Sequence, residues 1–335
     1  MKIGSVDIDR EVLVIAEIGN NHEGDVGLAE ELVHLAAEAG AQAVKFQTIV
    51  PASLVAPDQP ARLAQLGRYQ LDANAHRRLA DAAQRAGVMF LSTPFALEAV
   101  AALDPLVPAF KIASGDNDFM PLLEAVARTG KPVLLSTGMT DLAGAAYGKA
   151  ILERVWGESG VDPGLVLLHC VSAYPTARED ANLNAVRTLA SLGVRVGYSD
   201  HTLGIDAAPA AVALGARVIE KHFTRSKAQS EFRDHALSVE PSELKEMVAR
   251  IRAVEALLGD GRKRTMASET ATAAAARRSI CAARDLPAGH VLGPADLAWL
   301  RPAGGLRPGR ESEILGRALA RPYAAGERFS LDGVV

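Results

Sequence analysis

Residues 197–223 read GYSDHTLGIDAAPAAVALGARVIEKHF: a strand-like segment, a helix-like stretch over Ala207–Leu214, and a second strand-like segment. Both strand-like pieces stop on polar residues able to do chemistry, Ser199 and His201 in the first and His222 in the second. The same unit recurs toward the N-terminus. IAEIG carries Glu17, VKFQT Lys45 and Gln47, FLSTP Thr93, FKIASG Lys111 and Ser114, LLSTG Ser136, and LLHCVS Ser172. Helix-like stretches at Leu28–Ala39, Ala75–Ala86 and Leu122–Ala127 lie between them. Eight β-then-α units with polar strand ends are the signature of an α/β fold of the (β/α)8 TIM-barrel type, whose active site is built at the C-terminal ends of the strands.

A chain of 335 residues fits a barrel of about 250 residues and one smaller module. Barrel periodicity ends with the helical pattern Pro241–Leu258, where Leu244, Met247, Ile251, Val254 and Leu257 share one face. Residues 1–258 are therefore expected to form the barrel. Residues 259–278, polar and rich in small side chains, read as a linker in which Ala271–Ala276 can form a helical turn. Residues 279–335, with short strand-like pieces between Pro and Gly turns, read as a small β-rich domain. The stretch between Gln47 and Ala75 shows little periodicity and is expected to be a long functional loop.

The formal net charge of −4 gives no basic excess for nucleic acid, and the apolar runs are strand-sized, which argues against a membrane span. The chain opens on MKIGSVDIDR without an apolar signal region and carries only Cys170 and Cys281, so a reduced cytoplasmic setting is expected.

His201 and His222 lie 21 residues apart, one βα unit, on consecutive strands. Neighbouring strands run about 4.8 Å apart, so both imidazoles can reach one divalent cation while leaving coordination positions open. His169, three residues before the end of its segment, reads as a supporting or core residue. Lys45 and Lys111 end strands that are otherwise apolar, where an unpaired ammonium is costly. With Thr93, Ser114, Ser136 and Ser199 they supply two cations and four hydroxyls to one rim, an inventory suited to a phosphate or phosphate-plus-carboxylate ligand. A single Ser or Thr here is as readily a helix cap. Lys111 and Ser114 are three apart, so strict alternation would send them to opposite faces unless the strand ends or bulges between them. Glu17 and Asp116 are candidate acid–base groups and Asp234 a partner for a substrate hydroxyl. No GxGxxG follows the first strand.

In this order and at these positions, IAEIGNNHEGD, AGAQAVKFQT, FLSTPF, KIASGD, KPVLLSTGM, LLHCVSAYPT, GYSDHTLG and ALGARVIEKHFT resemble the sialic acid synthases, over nearly the whole chain. ARRSICAARDLPAGHVLGPADLAWLRP resembles that family's C-terminal SAF domain, similar to type III antifreeze proteins. The resemblance implies condensation of phosphoenolpyruvate with an N-acyl mannosamine-type sugar, N-acetylmannosamine by default, to give a nonulosonic acid such as N-acetylneuraminate. It implies a divalent metal on His201 and His222, usually manganese, with magnesium or cobalt as alternatives. Lys45, Thr93, Lys111, Ser114, Ser136 and Ser199 would hold phosphoenolpyruvate, with Gln47 and Ser172 bordering it. Glu17, Tyr174 and Asp234 would contact the sugar, and Arg301 would reach a partner's barrel across a domain-swapped homodimer. Asp116 stands where the family carries Glu, Ser172 where it often carries Asn, QSEFRDH replaces PGPDH, and PAGG follows Arg301. The replacements beside the sugar leave a legionaminic acid or other nonulosonate synthase as the alternative. Two further readings are a synthase for a phosphorylated aldose and a non-catalytic ice- or carbohydrate-binding protein.

Overall fold

Alternation within the first barrel strand sets the architecture. In β1, Leu13–Gly19, the side chains of Val14, Ala16 and Ile18 pack outward against helices, while Leu13 and Ile15 join an inner apolar layer. In the computed structural model, which describes residues 1–335, this division repeats through β2 (Ala43–Thr48), β3 (Met89–Pro94), β4 (Phe110–Ile112), β5 (Val133–Ser136), β6 (Leu165–Cys170), β7 (Arg195–Asp200) and β8 (Val218–His222). The strands are parallel in the order β3-β2-β1-β8-β7-β6-β5-β4, and β3 and β4 lie side by side at the seam, closing a TIM-type barrel. Buried on both faces, the strands read as nearly continuous apolar runs, as parallel sheets require.

The inner layer sets where a site can be. Leu13, Ile15, Ala43, Leu91, Leu134, Val166, Leu168 and Val218 fill the lower interior. The N-terminal hairpin Lys2–Ile3/Val6–Asp7 adds Ile3, Val6 and Ile8 to the same cluster. The lower half of the barrel is therefore solid, and only its C-terminal half can be hollow. Truncating Leu168 to Ala in this floor would cost about 2–5 kcal/mol through lost burial and the cavity left behind.

The helices start on side-chain caps: Asp25 accepts from the backbone of Gly27 and Leu28, and Asp141 from Gly144. Helix Pro241–Leu258 opens on a reciprocal Glu240/Glu243 capping box. The stretch expected as an irregular loop after Gln47 instead holds two helices, Pro51–Leu54 and Pro60–Tyr69. In each the proline occupies a first-turn position, where its missing N–H costs nothing. β4 ends at Ile112 and Ser114–Asp116 form a 3₁₀ turn, which removes the alternation conflict between Lys111 and Ser114.

The chain divides into two compact units, Met1–Gly259 and Asp260–Val335. The second contains a 3₁₀ turn (Ala267–Glu269) and a short helix (Thr270–Ala276) within the stretch read as a linker. Its antiparallel strands β9 (Ser279–Ala282) and β10 (Leu297–Leu300) sit on a core of Ile280, Leu286, Leu292, Ile314, Leu319, Tyr323 and Phe329. No helix of the chain is long and apolar enough to cross a membrane. Cys170 and Cys281 are both free and buried.

Candidate active site

Above the apolar floor each strand contributes at least one buried inward residue: Glu17, Lys45, Thr93, Lys111, Ser136, Cys170, Ser199 and Glu220 from β1 to β8. They line a cavity of about 340 Å³ together with Gln47, Ser114, Ser172, Tyr174, His201, His222 and Asp234. Nearly every candidate from the sequence thus meets in one place. Asp116 and Arg301 are not among the lining residues. Asp116 lies in the turn just beyond Ser114 and Gly115, and Arg301 is an exposed residue of the small domain directly after β10.

The ionic centre is a closed network. Lys45 Nζ sits 2.7 Å from Glu17 Oε2, donates to Thr93 Oγ1 at 3.1 Å, and stands 3.8 Å from Glu220 Oε2. Lys111 Nζ donates to the carbonyl of Ile112 at 3.0 Å and stands 3.9 Å from Glu220 Oε1. Burial pushes the Glu17 carboxyl upward, reinforced by repulsion from Glu220 and opposed by Lys45. Glu220 goes the other way: burial alone would raise it, but Lys111 and Lys45 hold it below the usual range. Burial lowers Lys111, whereas the attraction of Glu17 and Glu220 outweighs burial at Lys45 and raises it. Two lysines face two carboxyl groups in this buried centre, so an arriving anion meets both amino groups in one place.

The hydroxyls beside this centre are not all satisfied. Ser136 Oγ and Ser172 Oγ are buried without a hydrogen-bond partner. Buried polar atoms are nearly always paired, so a group of orphans facing one cavity marks a place for a ligand. Ser114 Oγ accepts from the N–H of Gly138 at 3.0 Å. Gly138 allows the crowding: a Cβ there would stand 2.4 Å from Ser172 Oγ and 2.7 Å from Ser114 Oγ.

The imidazoles of His201 and His222 face each other with ring centroids 5.4 Å apart. His201 Nδ1 is tied to the carbonyl of Val171 at 2.8 Å, so that nitrogen carries the proton and the opposite one is uncommitted. His222 Nδ1 is buried and partnerless, and burial followed by repulsion from His201 holds this ring well below the usual imidazole range, neutral and able to donate a lone pair. Burial likewise lowers His201, but the neighbouring Cys170 thiol and the Val171 carbonyl outweigh it and raise the ring. The pair fits a divalent cation held by two nitrogens, with its remaining positions open to substrate and water. No group of three or more His, Cys, Asp or Glu side chains is placed to hold a metal on its own. His169 stands aside, bonding the carbonyl of Ala181 at 2.8 Å and stacking on Tyr198.

At the mouth, the Tyr174 ring lies 4.2 Å from that of His201 and carries the Arg233 guanidinium 4.9 Å above it. Arg233 pairs with Asp234 at 3.1 Å. Helix Pro60–Tyr69 contributes Arg62, Leu66 and Tyr69 to the lining, and the Tyr69 ring packs on Phe232 at 5.0 Å. Gly24 seats this helix, since a Cβ at its φ of +89° would meet the carbonyl oxygen of Arg68 at 2.1 Å.

Glu220, Cys170 and the Tyr69–Phe232 pair were not singled out from the sequence as site residues. Period-two reading of VIEKH places Glu220 on the same face as His222, which is the signal that would have found it.

The NeuB family model matches residues 32–263 and the SAF domain model residues 277–335. The chain is 45% identical over 324 residues to an uncharacterized protein of Methanocaldococcus jannaschii, covering 95% of this chain and 94% of the relative. It is 40% identical over 328 residues to the N,N'-diacetyllegionaminic acid synthase of Legionella pneumophila, covering 93% and 92%. The crystal structure of an N-acetylneuraminic acid (sialic acid) synthetase from Leptospira borgpetersenii, in complex with citrate, matches with a TM-score of 0.76 at 33% identity, covering 81% of this chain and 94% of that one. A barrel with these polar strand ends, followed by a SAF domain, belongs to an enzyme of the NeuB family of nonulosonic acid synthases.

Proposed function

We propose that the enzyme condenses phosphoenolpyruvate with the open-chain form of an N-acylated mannosamine-type sugar, N-acetylmannosamine in the simplest case, releasing phosphate and a nonulosonic acid. The observation that carries this reading is the meeting, in one cavity, of two buried lysine amino groups, unpartnered serine hydroxyls and two imidazoles that each keep a ring nitrogen free. Lys45, Lys111, Thr93, Ser114, Ser136, Ser172 and Ser199 bind the phosphate and carboxylate of the donor and fix its C3 toward the acceptor. C3 bonds to the aldehyde carbon, whose oxygen takes the π electrons and a proton to become a hydroxyl, and positive charge develops at C2. Water adds at C2 with loss of one proton, and the new C2 hydroxyl gives up its remaining proton to form the ketone as the C2–O bond breaks and phosphate leaves with that electron pair. Asp116, outside the lining but in the same turn as the lining residues Ser114 and Gly115, takes the proton of that water: its carboxyl has an unpartnered buried oxygen, and burial, with Asp118 beside it, raises its pKa to about 6. Glu17, fixed by Gln47, binds the acceptor with Tyr174 and Asp234. A manganese ion on His201 and His222, or magnesium or cobalt in its place, supplies Lewis-acid polarisation of the aldehyde when bound.

The 40% identity to a diacetyllegionaminic acid synthase favours a second acceptor, a diacetamido sugar, and the Tyr69–Phe232 pair offers an apolar shelf for an acetyl methyl. Arg301 completes the cavity of a second copy in a domain-swapped homodimer, and the two free thiols suit a reduced, cytoplasmic setting.

The test is phosphate release from phosphoenolpyruvate with Mn²⁺ and a panel of amino sugars, with products identified by mass spectrometry. In ¹⁸O-water the label should enter the sugar acid and not the phosphate. No phosphate release with any acceptor would overturn the reading. Mixing Arg301→Ala with His222→Ala protein should restore activity; failure of complementation would refute the swapped arrangement.

A further inference from the structure

We infer that the buried Asp200–Lys221 ion pair is a positioning device for the two imidazoles and sets how tightly the site holds a divalent cation; the inference rests on the proposed use of His201 and His222 as cation ligands. β7 and β8 pair with Ser199 opposite Glu220 and Asp200 opposite Lys221. Ser199, His201, Glu220 and His222 line the cavity, whereas Asp200 and Lys221, one residue out of phase, do not. Both side chains of the pair are 0% exposed.

The hydrogen bonds show what the pair holds. Lys221 Nζ donates to Asp200 Oδ2 at 2.9 Å and also to the carbonyl of Thr202, so it grips the chain on both sides of His201. Asp200 Oδ1 accepts from the Thr202 N–H at 2.8 Å and from Thr202 Oγ1 at 2.7 Å, closing residues 200–202 into a small loop with His201 at its apex. The lysine that holds this loop immediately precedes His222 in the chain. The two ligands are thereby tied to each other through one residue on each side and one ion pair. Elsewhere the loop is held by the carbonyl of Val171 at His201 Nδ1 and by the N–H of Thr176, which donates to the His201 carbonyl at 2.9 Å.

Stability alone is a poor reason for such a pair. Taking two charges fully out of water costs several kcal/mol per ion, and apolar side chains of similar volume usually do as well or better. Groups that orient metal ligands, in contrast, typically change metal affinity about 10–100-fold when lost.

The test compares wild type with Asp200→Asn and with the apolar double variant Asp200→Leu/Lys221→Met, reading Mn²⁺ dissociation constants by calorimetry or by the EPR signal of free Mn²⁺, beside thermal melts. Mn²⁺ binding should weaken at least about tenfold in both variants, with the melt of the double variant within a few degrees of wild type. A folded variant that binds Mn²⁺ within twofold of wild type would overturn the inference while leaving the cation reading intact. A wild-type protein that binds no Mn²⁺ would overturn both. Failure of both variants to fold would make the pair a stability element and would also overturn the positioning role.

Discussion

Ser199 Oγ donates a hydrogen bond to Glu220 Oε1 at 2.9 Å, and the same carboxylate stands within 3.9 Å of both cavity lysines. Glu220 therefore acts as a counter-charge shared by Lys45 and Lys111, opposing the effect of burial on both ammonium groups. Its removal leaves the buried Lys111 with no acid partner within 4 Å. Breaking a buried pair of this kind costs about 3–5 kcal/mol. Glu220→Gln should melt well below wild type in the absence of ligand, and phosphoenolpyruvate should raise its melting temperature by more than it raises that of wild type, because the donor's anionic groups replace the missing charge. Equal ligand-induced shifts in the two proteins would show that Glu220 is not a stand-in for the donor's charge.

Gly138 tests the serine cradle separately from the lysines. Its φ is not positive, so alanine fits the backbone, and the cost falls on Ser114 and Ser172, whose oxygens a Cβ would crowd. Gly138→Ala should keep nearly the wild-type melting temperature yet raise the KM for phosphoenolpyruvate at least about tenfold, the equivalent of roughly 1.4 kcal/mol. Steady-state kinetics with either substrate varied would separate this from an effect on the sugar.

Gly24→Ala probes the opposite end of the cavity. The substitution is strained at φ +89° and drives a methyl into the Arg68 carbonyl, so helix Pro60–Tyr69 must shift and take Arg62, Leu66 and Tyr69 with it. The KM for the sugar should rise while phosphoenolpyruvate still stabilises the protein as it does wild type. A matching loss for both substrates would place the helix at the donor site instead.

The barrel and most of the site were legible because one rule, alternation, governs both. Leu13, Ile15 and Glu17 share a face, as do Ala43, Lys45 and Gln47, so the run of inward residues turns from apolar to polar at the height where the barrel becomes hollow. Glu220 obeys the same rule and was obscured by the histidine two residues later. Helix Pro60–Tyr69 was obscured for a different reason: Pro51 and Pro60 break a helix in its interior but start one at its first turn, and composition does not separate the two positions. The ties between Arg233, Asp234 and Tyr174 depend on where the β8 loop folds back, which no local pattern encodes.

Asp116 links stability to turnover. Burial raises its carboxyl from the usual range to about 6, with Asp118 adding to the rise and Lys111 opposing it. For an acid whose pKa is higher in the folded state, the fold favours the protonated form, so its contribution is full at low pH and is lost as pH rises through about 6. The shift corresponds to roughly 3 kcal/mol at most, and partial exposure of this half-buried group reduces that to about 1–2 kcal/mol. Asp116→Asn should therefore match wild-type stability near pH 4 and exceed it by about 1–2 kcal/mol above pH 7, measured by denaturant titration at several pH values. As the proposed base for the attacking water, the same residue should make wild-type kcat/KM fall below about pH 6, and its amide variant should lose roughly 10²–10⁴-fold in turnover. A variant that is more stable at neutral pH yet fully active would separate the two effects and assign the proton to another group.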